Sequence, residues 1–233
     1  MELVYLMKIK NGTSMSSDNQ LLINFDFKKD YYNQDFYVTK SNSDAFNLIN
    51  NWPRWVKRTI NLYGEKYSGK THLSKIFQEK TSCISIESEN FSNETLSKFK
   101  TKQAIIIEDY SQNISEKLLY SLINTVEQEN KYLLITSALP INRFKFKLQD
   151  LVSRINNSLY IELQKPDDEL IYALIVKNFS DRQISIDKKI IDYIIKRINR
   201  SYKDIFMFIY NVDQLSLKRG KPISLSIIKK ILE

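Results

Sequence analysis

The segment from Gly64 to Thr71 reads GEKYSGKT, a Walker A pattern of two glycines, a lysine and a hydroxyl residue at fixed spacing. It follows TINLY (Thr59 to Tyr63), an apolar run that predicts a buried strand, and precedes a stretch of helical spacing through Phe77. In that setting glycine lets a loop turn its amides toward a β-phosphate, and the start of the helix adds partial positive charge. Lys70 is placed to bridge the β- and γ-phosphates, and the Thr71 hydroxyl to ligate magnesium. Gly64, Glu65, Lys66, Tyr67, Ser68, Gly69, Lys70 and Thr71, with His72 just beyond, therefore form the candidate cofactor site for the phosphates of a nucleotide with Mg2+. The chain has 4 glycines, and Gly64 and Gly69 fall where the pattern requires them, which argues against an accidental match. Tyr67 stands where many such loops carry another glycine, and a positive φ there would strain it.

Outward from the loop the chain alternates between strand and helix patterns. CISIES, AIIIED (Ala104 to Asp109), YLLIT (Tyr132 to Thr136) and SLYIEL (Ser158 to Leu163) predict four further strands. AIIIED is apolar on both faces, as strands of a parallel sheet are. Helices are predicted over Ser43 to Trp55, capped by Ser41 or Asn42, over Ser115 to about Glu129, and over FKFKLQDLVSRI. The expectation is an α/β domain with a five-stranded parallel sheet. Beyond Pro166 four segments of helical periodicity follow without a strand between them, starting at PDDELIYALIVKNF, and predict a small all-helical domain. Pro166, Asp167 and Asp168 suit the first turn of its opening helix. The expected organisation is a flexible segment over 1–19, a short linear motif over 20–25, the α/β domain over 26–164 and the helical domain over 165–233. At the end of AIIIEDY, Glu108 falls near the magnesium shell and Asp109 where a water is polarised. A solvated acidic loop is the plain alternative.

Composition excludes more than it selects. One cysteine, Cys83, and one histidine, His72, leave no internal disulfide, no multi-thiolate zinc site and little room for a Ser-His-Asp mechanism. Cys83 lies in an apolar run, where an inert buried thiol is expected. No apolar run approaches the roughly 20 residues needed to span a bilayer, and the start MELVYLMKIK is a poor secretory signal, so a cytoplasmic protein without membrane contact is expected. Met7 and Met15 are both plausible alternative starts. The net charge of +8 permits nucleic-acid binding, but the lysines are spread along the chain, and a solvated basic surface explains them as well.

Several segments together resemble one family. GKTHL after the loop, DLVSR (Asp150 to Arg154), DFYVTKSNSDAFNLINNWPRW upstream, and KPDDELIYALIVKNFSDRQISI with RINRSYKDI downstream are similar to DnaA-related AAA+ proteins, and especially to the Hda branch and its α-proteobacterial members. The resemblance covers roughly Gln20 to the C-terminus. It implies that the nucleotide is ADP or ATP, that Phe36, Tyr37 and Val38 lie beside the adenine, and that Arg154 is an arginine finger reaching a nucleotide held by DnaA or a neighbouring subunit. A helix salt bridge from Arg154 to Asp150, four residues earlier, is the structural alternative. Arg200 or Lys203 would sense the nucleotide from the lid. Thr136 would be the first sensor, and Ala138, where DnaA has an acid, puts efficient intrinsic hydrolysis in doubt.

The same resemblance gives a role to QLLINF (Gln20 to Phe25), which is similar to the short peptide that binds the bacterial sliding clamp. Gln20 offers an amide, and Leu21, Ile23 and Phe25 apolar anchors; an edge strand is the alternative. An initiator of the DnaA type continues into a helix-turn-helix domain, whereas here the helical region runs to Glu233. The resemblance therefore implies a clamp-tethered regulator that promotes hydrolysis of DnaA-bound ATP, contacts DNA only through the clamp, and can form homo-oligomers. Two rivals stay open: an autonomous ATPase of the helicase-loader kind, and a scaffold with a vestigial nucleotide site.

Overall fold

A computed structural model describes residues 35–182, 186–219 and 225–232, without the side chains of 216–219. These residues belong to one compact unit. The motif from Gln20 to Phe25 lies outside them.

The predicted strands form as β1 (Thr59–Gly64), β2 (Cys83–Glu87), β3 (Ala104–Tyr110), β4 (Tyr132–Ser137) and β5 (Leu159–Leu163). They make one sheet in the order β2-β3-β4-β1-β5, with every neighbouring pair parallel. Each face of the sheet needs an apolar cover, and alternate residues supply it. Ile105, Ile107, Leu133 and Ile135 pack against α3 (Asn93–Phe99), α4 (Glu116–Gln128) and α5 (Gln149–Asn156). Ala104, Ile106, Ile60 and Leu62 pack against α1 (Ser43–Asn50) and α2 (Lys70–Lys80) through Ile49, Leu73, Ile76 and Phe77. Because β1 lies between β4 and β5, the loop leaving its carboxyl end opens into the crevice where ligands of such sheets bind.

Three local expectations change. α1 stops at Asn50 rather than Trp55, because the residue before Pro53 is pushed out of helical geometry. Its cap is Asn42, whose side chain accepts from Thr39 N at 2.8 Å instead of from the helix. Only the second half of FKFKLQDLVSRI is helical. Phe144, Phe146 and Leu148 pack alternately on the core, and Lys147 N and Leu148 N donate to the Glu116 carboxylate.

The C-terminal helices α6 (Asp168–Asp181), α7 (Lys188–Ile195), α8 (Tyr202–Arg219) and α9 (Leu225–Leu232) surround an apolar cluster of their own, including Ile175, Phe179, Ile194, Phe208 and Ile228. Asp167 caps α6 by accepting from Leu170 N at 2.8 Å, so Pro166 precedes the cap instead of entering the first turn. No helix among the described residues is long and apolar enough to cross a membrane.

Candidate functional site

The loop between β1 and α2 is built by its glycines. Gly64 has φ 156°, and a Cβ there would lie 2.9 Å from the Leu163 carbonyl oxygen. Gly69, at φ 100°, is the N-cap of α2 in a left-handed conformation and provides no side-chain cap. Gly69 therefore offers the first amides of α2 no capping side chain of its own, and such a helix start favours an anion. Lys70 is 7% exposed. Its Nζ donates to the carbonyls of Gly64 and Glu65, at 2.8 Å each, which folds the lysine across the loop. Burial holds its ammonium below the usual lysine range, opposed by the charges of Asp109 and Glu65. Thr71 is exposed at the first turn of α2. A diphosphate with its magnesium fits this donor set: a helix start with a glycine N-cap, one ammonium and one hydroxyl. Among the described residues no cluster of His, Cys, Asp and Glu forms a metal site by itself, and Mg2+ held by phosphates needs only one or two protein ligands.

Tyr67 has φ 71°, as the missing glycine predicted. Its ring, 44% exposed, stacks on Phe206 of α8 with centroids 4.3 Å apart and planes 7° from parallel. Beside it, Glu65 Oε2 accepts from Tyr202 N at 3.2 Å, at the start of α8. The phosphate loop is therefore joined to α8 by two side chains. Lys66 lies over the Tyr67 ring, and Ser68 is buried with its Oγ unpaired.

At the carboxyl end of β3, Glu108 is 6% exposed and accepts from Ser85 Oγ at 2.8 Å. It shares the sheet face of Ala104 and Ile106, the α2 side. Asp109 is exposed, at φ 48° in a register break between Ile107 and Tyr110. Its amide donates to Thr136 Oγ1 at 3.0 Å, so the buried Thr136 hydroxyl keeps its own proton to donate. Asn61, fully buried in β1, was not anticipated. Its Nδ2 donates to Ile135 O and Ser137 Oγ, and its Oδ1 accepts from Ile141 N at 2.9 Å. It ties the strand feeding the phosphate loop to the turn after Thr136. A polar residue amid TINLY was the signal.

On the upstream side, Phe36 stacks on Phe46 at 5.5 Å, meets His72 edge-on at 5.2 Å and lies 3.1 Å from where a Cβ on Gly69 would sit. Tyr37 and Val38 are exposed; Tyr37 OH donates to Glu169 Oε1 at 3.3 Å, and Asn42 Nδ2 donates to Tyr37 O. Phe36 and His72 thus adjoin the phosphate loop, and Tyr37 reaches α6. Of the two lid candidates, Arg200 pairs with Asp168 at 2.8 Å. Lys203 is exposed and makes no ion pair among the described residues. Arg154 is exposed in the last turn of α5, and no ion pair with Asp150 forms among the described residues.

No family model matches the chain. In sequence it is similar to the chromosomal replication initiator protein DnaA of Treponema denticola, 25% identical over 77% of this chain and 44% of that protein. Another DnaA, from Borreliella afzelii, is 24% identical and covered to 48%, so the chain spans less than half the length of these relatives. Among solved structures, domain III of Thermotoga maritima DnaA superposes with a TM-score of 0.72 at 20% identity, over 87% of this chain and 95% of that one. AMPPCP-bound DnaA from Aquifex aeolicus gives 0.65 at 18% identity, over 84% and 68%. In fold, the chain is similar to domain III of DnaA.

Proposed function

We propose that the protein is a regulator of replication initiation of the Hda kind, which holds an adenine nucleotide with Mg2+ and stimulates hydrolysis of ATP bound to DnaA. The observation that carries the reading is the buried Lys70 folded across a glycine-built loop at the start of α2, on a fold shared with DnaA domain III. The diphosphate lies along the loop from Gly64 to Thr71. Lys70 exchanges its carbonyl partners for phosphate oxygens, and Thr71 with Glu108 completes the metal shell. Phe36, Tyr37, Val38 and His72 border the base. Lys203 reads the γ-phosphate, because Arg200 is engaged by Asp168. Asp109 and Thr136 orient water, and with Ala138 beside them intrinsic turnover is weak.

Arg154 acts in trans. Its guanidinium is exposed and has no acidic partner in its own helix, which leaves the planar fork for charge on a transferring phosphoryl group. Docking on the sliding clamp is assigned to Gln20, Leu21, Ile23 and Phe25, on sequence alone. Adding the protein with DNA-loaded clamp to ATP-bound DnaA is expected to accelerate phosphate release. Arg154→Ala is expected to abolish the acceleration, and Gln20→Ala with Phe25→Ala to abolish clamp retention. Full acceleration by Arg154→Ala refutes the finger. Rapid phosphate release by the protein without DnaA favours an autonomous ATPase instead.

A further inference from the structure

The two ends of the sheet differ in charge, although Lys66 and Lys70 stand among the acids at the carboxyl end. At the carboxyl ends of the strands lie Glu65, Glu87, Glu108, Asp109 and Glu162. The amino ends, on the far side from the phosphate loop, are basic. Lys80 precedes β2, Lys100 and Lys102 precede β3, and Arg54, Lys57 and Arg58 precede β1.

The sheet register brings these residues into one row. Gln103 N donates to Ser82 O, Tyr132 N to Gln103 O and Leu133 N to Arg58 O, so the segments entering β2, β3, β4 and β1 run side by side. Neighbouring strands are about 4.8 Å apart, so the row is about 14 Å wide.

Part of this charge serves the fold. Arg58 donates to Asn130 O at the end of α4, and Lys57 to Asn157 Oδ1. Lys131 donates to Phe99 O and Lys100 O and pairs with Glu129. Glu79 and Glu127 also lie near this end. What remains is a surplus: Arg54 and Lys100 are exposed, Lys102 is half-buried, and none makes an ion pair among the described residues. Such a row repels itself and attracts a polyanion.

We infer that the amino end of the sheet, centred on Arg54, Lys100 and Lys102, is a docking face for the phosphate backbone of duplex DNA. A duplex carries a negative charge every ~1.7 Å along its axis, so a face of this width meets several phosphates. A duplex is favoured over a single strand because single strands are held largely by stacking on exposed aromatic rings. Of the exposed large apolar side chains among the described residues, the only one in this row is Val56. The nearby ring of Tyr132 is already engaged by Trp52, Trp55 and Arg58. Recognition is by charge, without base sequence, and does not depend on the nucleotide site.

The test is anisotropy of a labelled duplex of about 20 base pairs, and of one of its strands, titrated with the full chain at about 50 and 150 mM salt. The duplex is expected to bind more tightly than the strand. The triple variant Arg54→Ala, Lys100→Ala, Lys102→Ala is expected to weaken duplex binding at least about tenfold and to lower the salt slope by about 2 to 3. Arg54→Lys, Lys100→Arg, Lys102→Arg keeps the charge and is expected to bind like the wild type. Lys188→Ala, Lys189→Ala, Lys196→Ala, on α7 and at its C-cap, removes the same charge elsewhere and is expected to cost less than about twofold. Equal weakening by both alanine sets would trace the attraction to net charge and overturn the face. Absence of wild-type binding at the lower salt, or tighter binding of the strand, overturns the proposal as well.

Discussion

Tyr67 of the phosphate loop stacks face to face on Phe206 of α8, with centroids 4.3 Å apart, although its backbone is held at φ 71°. A left-handed non-glycine residue costs on the order of 1–3 kcal/mol, and the stack returns part of that. Together with the Glu65 contact to Tyr202 N, it makes the loop and the C-terminal helices one mechanical unit. A double-mutant cycle of Tyr67→Gly and Phe206→Ala, read by chemical denaturation, is expected to give a coupling of about 0.5–1.5 kcal/mol. Additive effects would mean that the rings do not support one another.

Asn61 predicts a large loss of stability. Asn61→Leu removes the acceptor of Ile141 N and the donor to Ile135 O and Ser137 Oγ, leaving buried groups unpaired at about 1–3 kcal/mol each. The midpoint of unfolding is expected to fall sharply. A variant as stable as the wild type would show that the turn after Thr136 relaxes to water.

The two lid candidates separate by their partners. Lys203→Ala is expected to weaken ATP binding at least about fivefold while leaving ADP within about twofold, because an ammonium at the γ-phosphate is a charge-assisted contact. Arg200→Ala is expected to loosen the Asp168 pair without discriminating the nucleotides, since exposed pairs contribute little. The opposite pattern in paired ATP and ADP titrations would exchange the roles.

Cys83 is half-buried, and burial lifts its thiol from 9.0 to about 11. A raised folded value means that the native state keeps a proton the unfolded chain loses. The stability linked to this group is complete below pH 9.0 and is lost as pH rises toward about 11. Near pH 8, alkylation is expected to be at least about tenfold slower in the native protein than in the denatured one. Equal rates would place the thiol in solvent.

The sheet and the place of the Gly64 to Thr71 loop between strand and helix were legible because their signals are local. AIIIED, apolar on both faces, and YLLIT read as strands, and GEKYSGKT falls between a strand and a helix. Helix α3 went unpredicted: NETLSKF is mostly polar, and Ser92 as its cap is a weak signal by itself. FKFKL looked helical because Glu116, the acceptor for Lys147 N and Leu148 N, lies far away in sequence. The same holds within the site. Contacts of Glu65 with Tyr202 and of Tyr67 with Phe206 join residues separated by more than half of the chain, and no periodicity reports them.

The central claim is that the loop around Lys70 holds the phosphates of an adenine nucleotide. Calorimetry with ADP and ATP in the presence of Mg2+ tests it directly on the full chain. Saturable binding of both nucleotides at one site is expected, lost in Lys70→Ala with the fold retained by circular dichroism. Absence of binding by the wild type, or unchanged binding by the variant, would contradict the account.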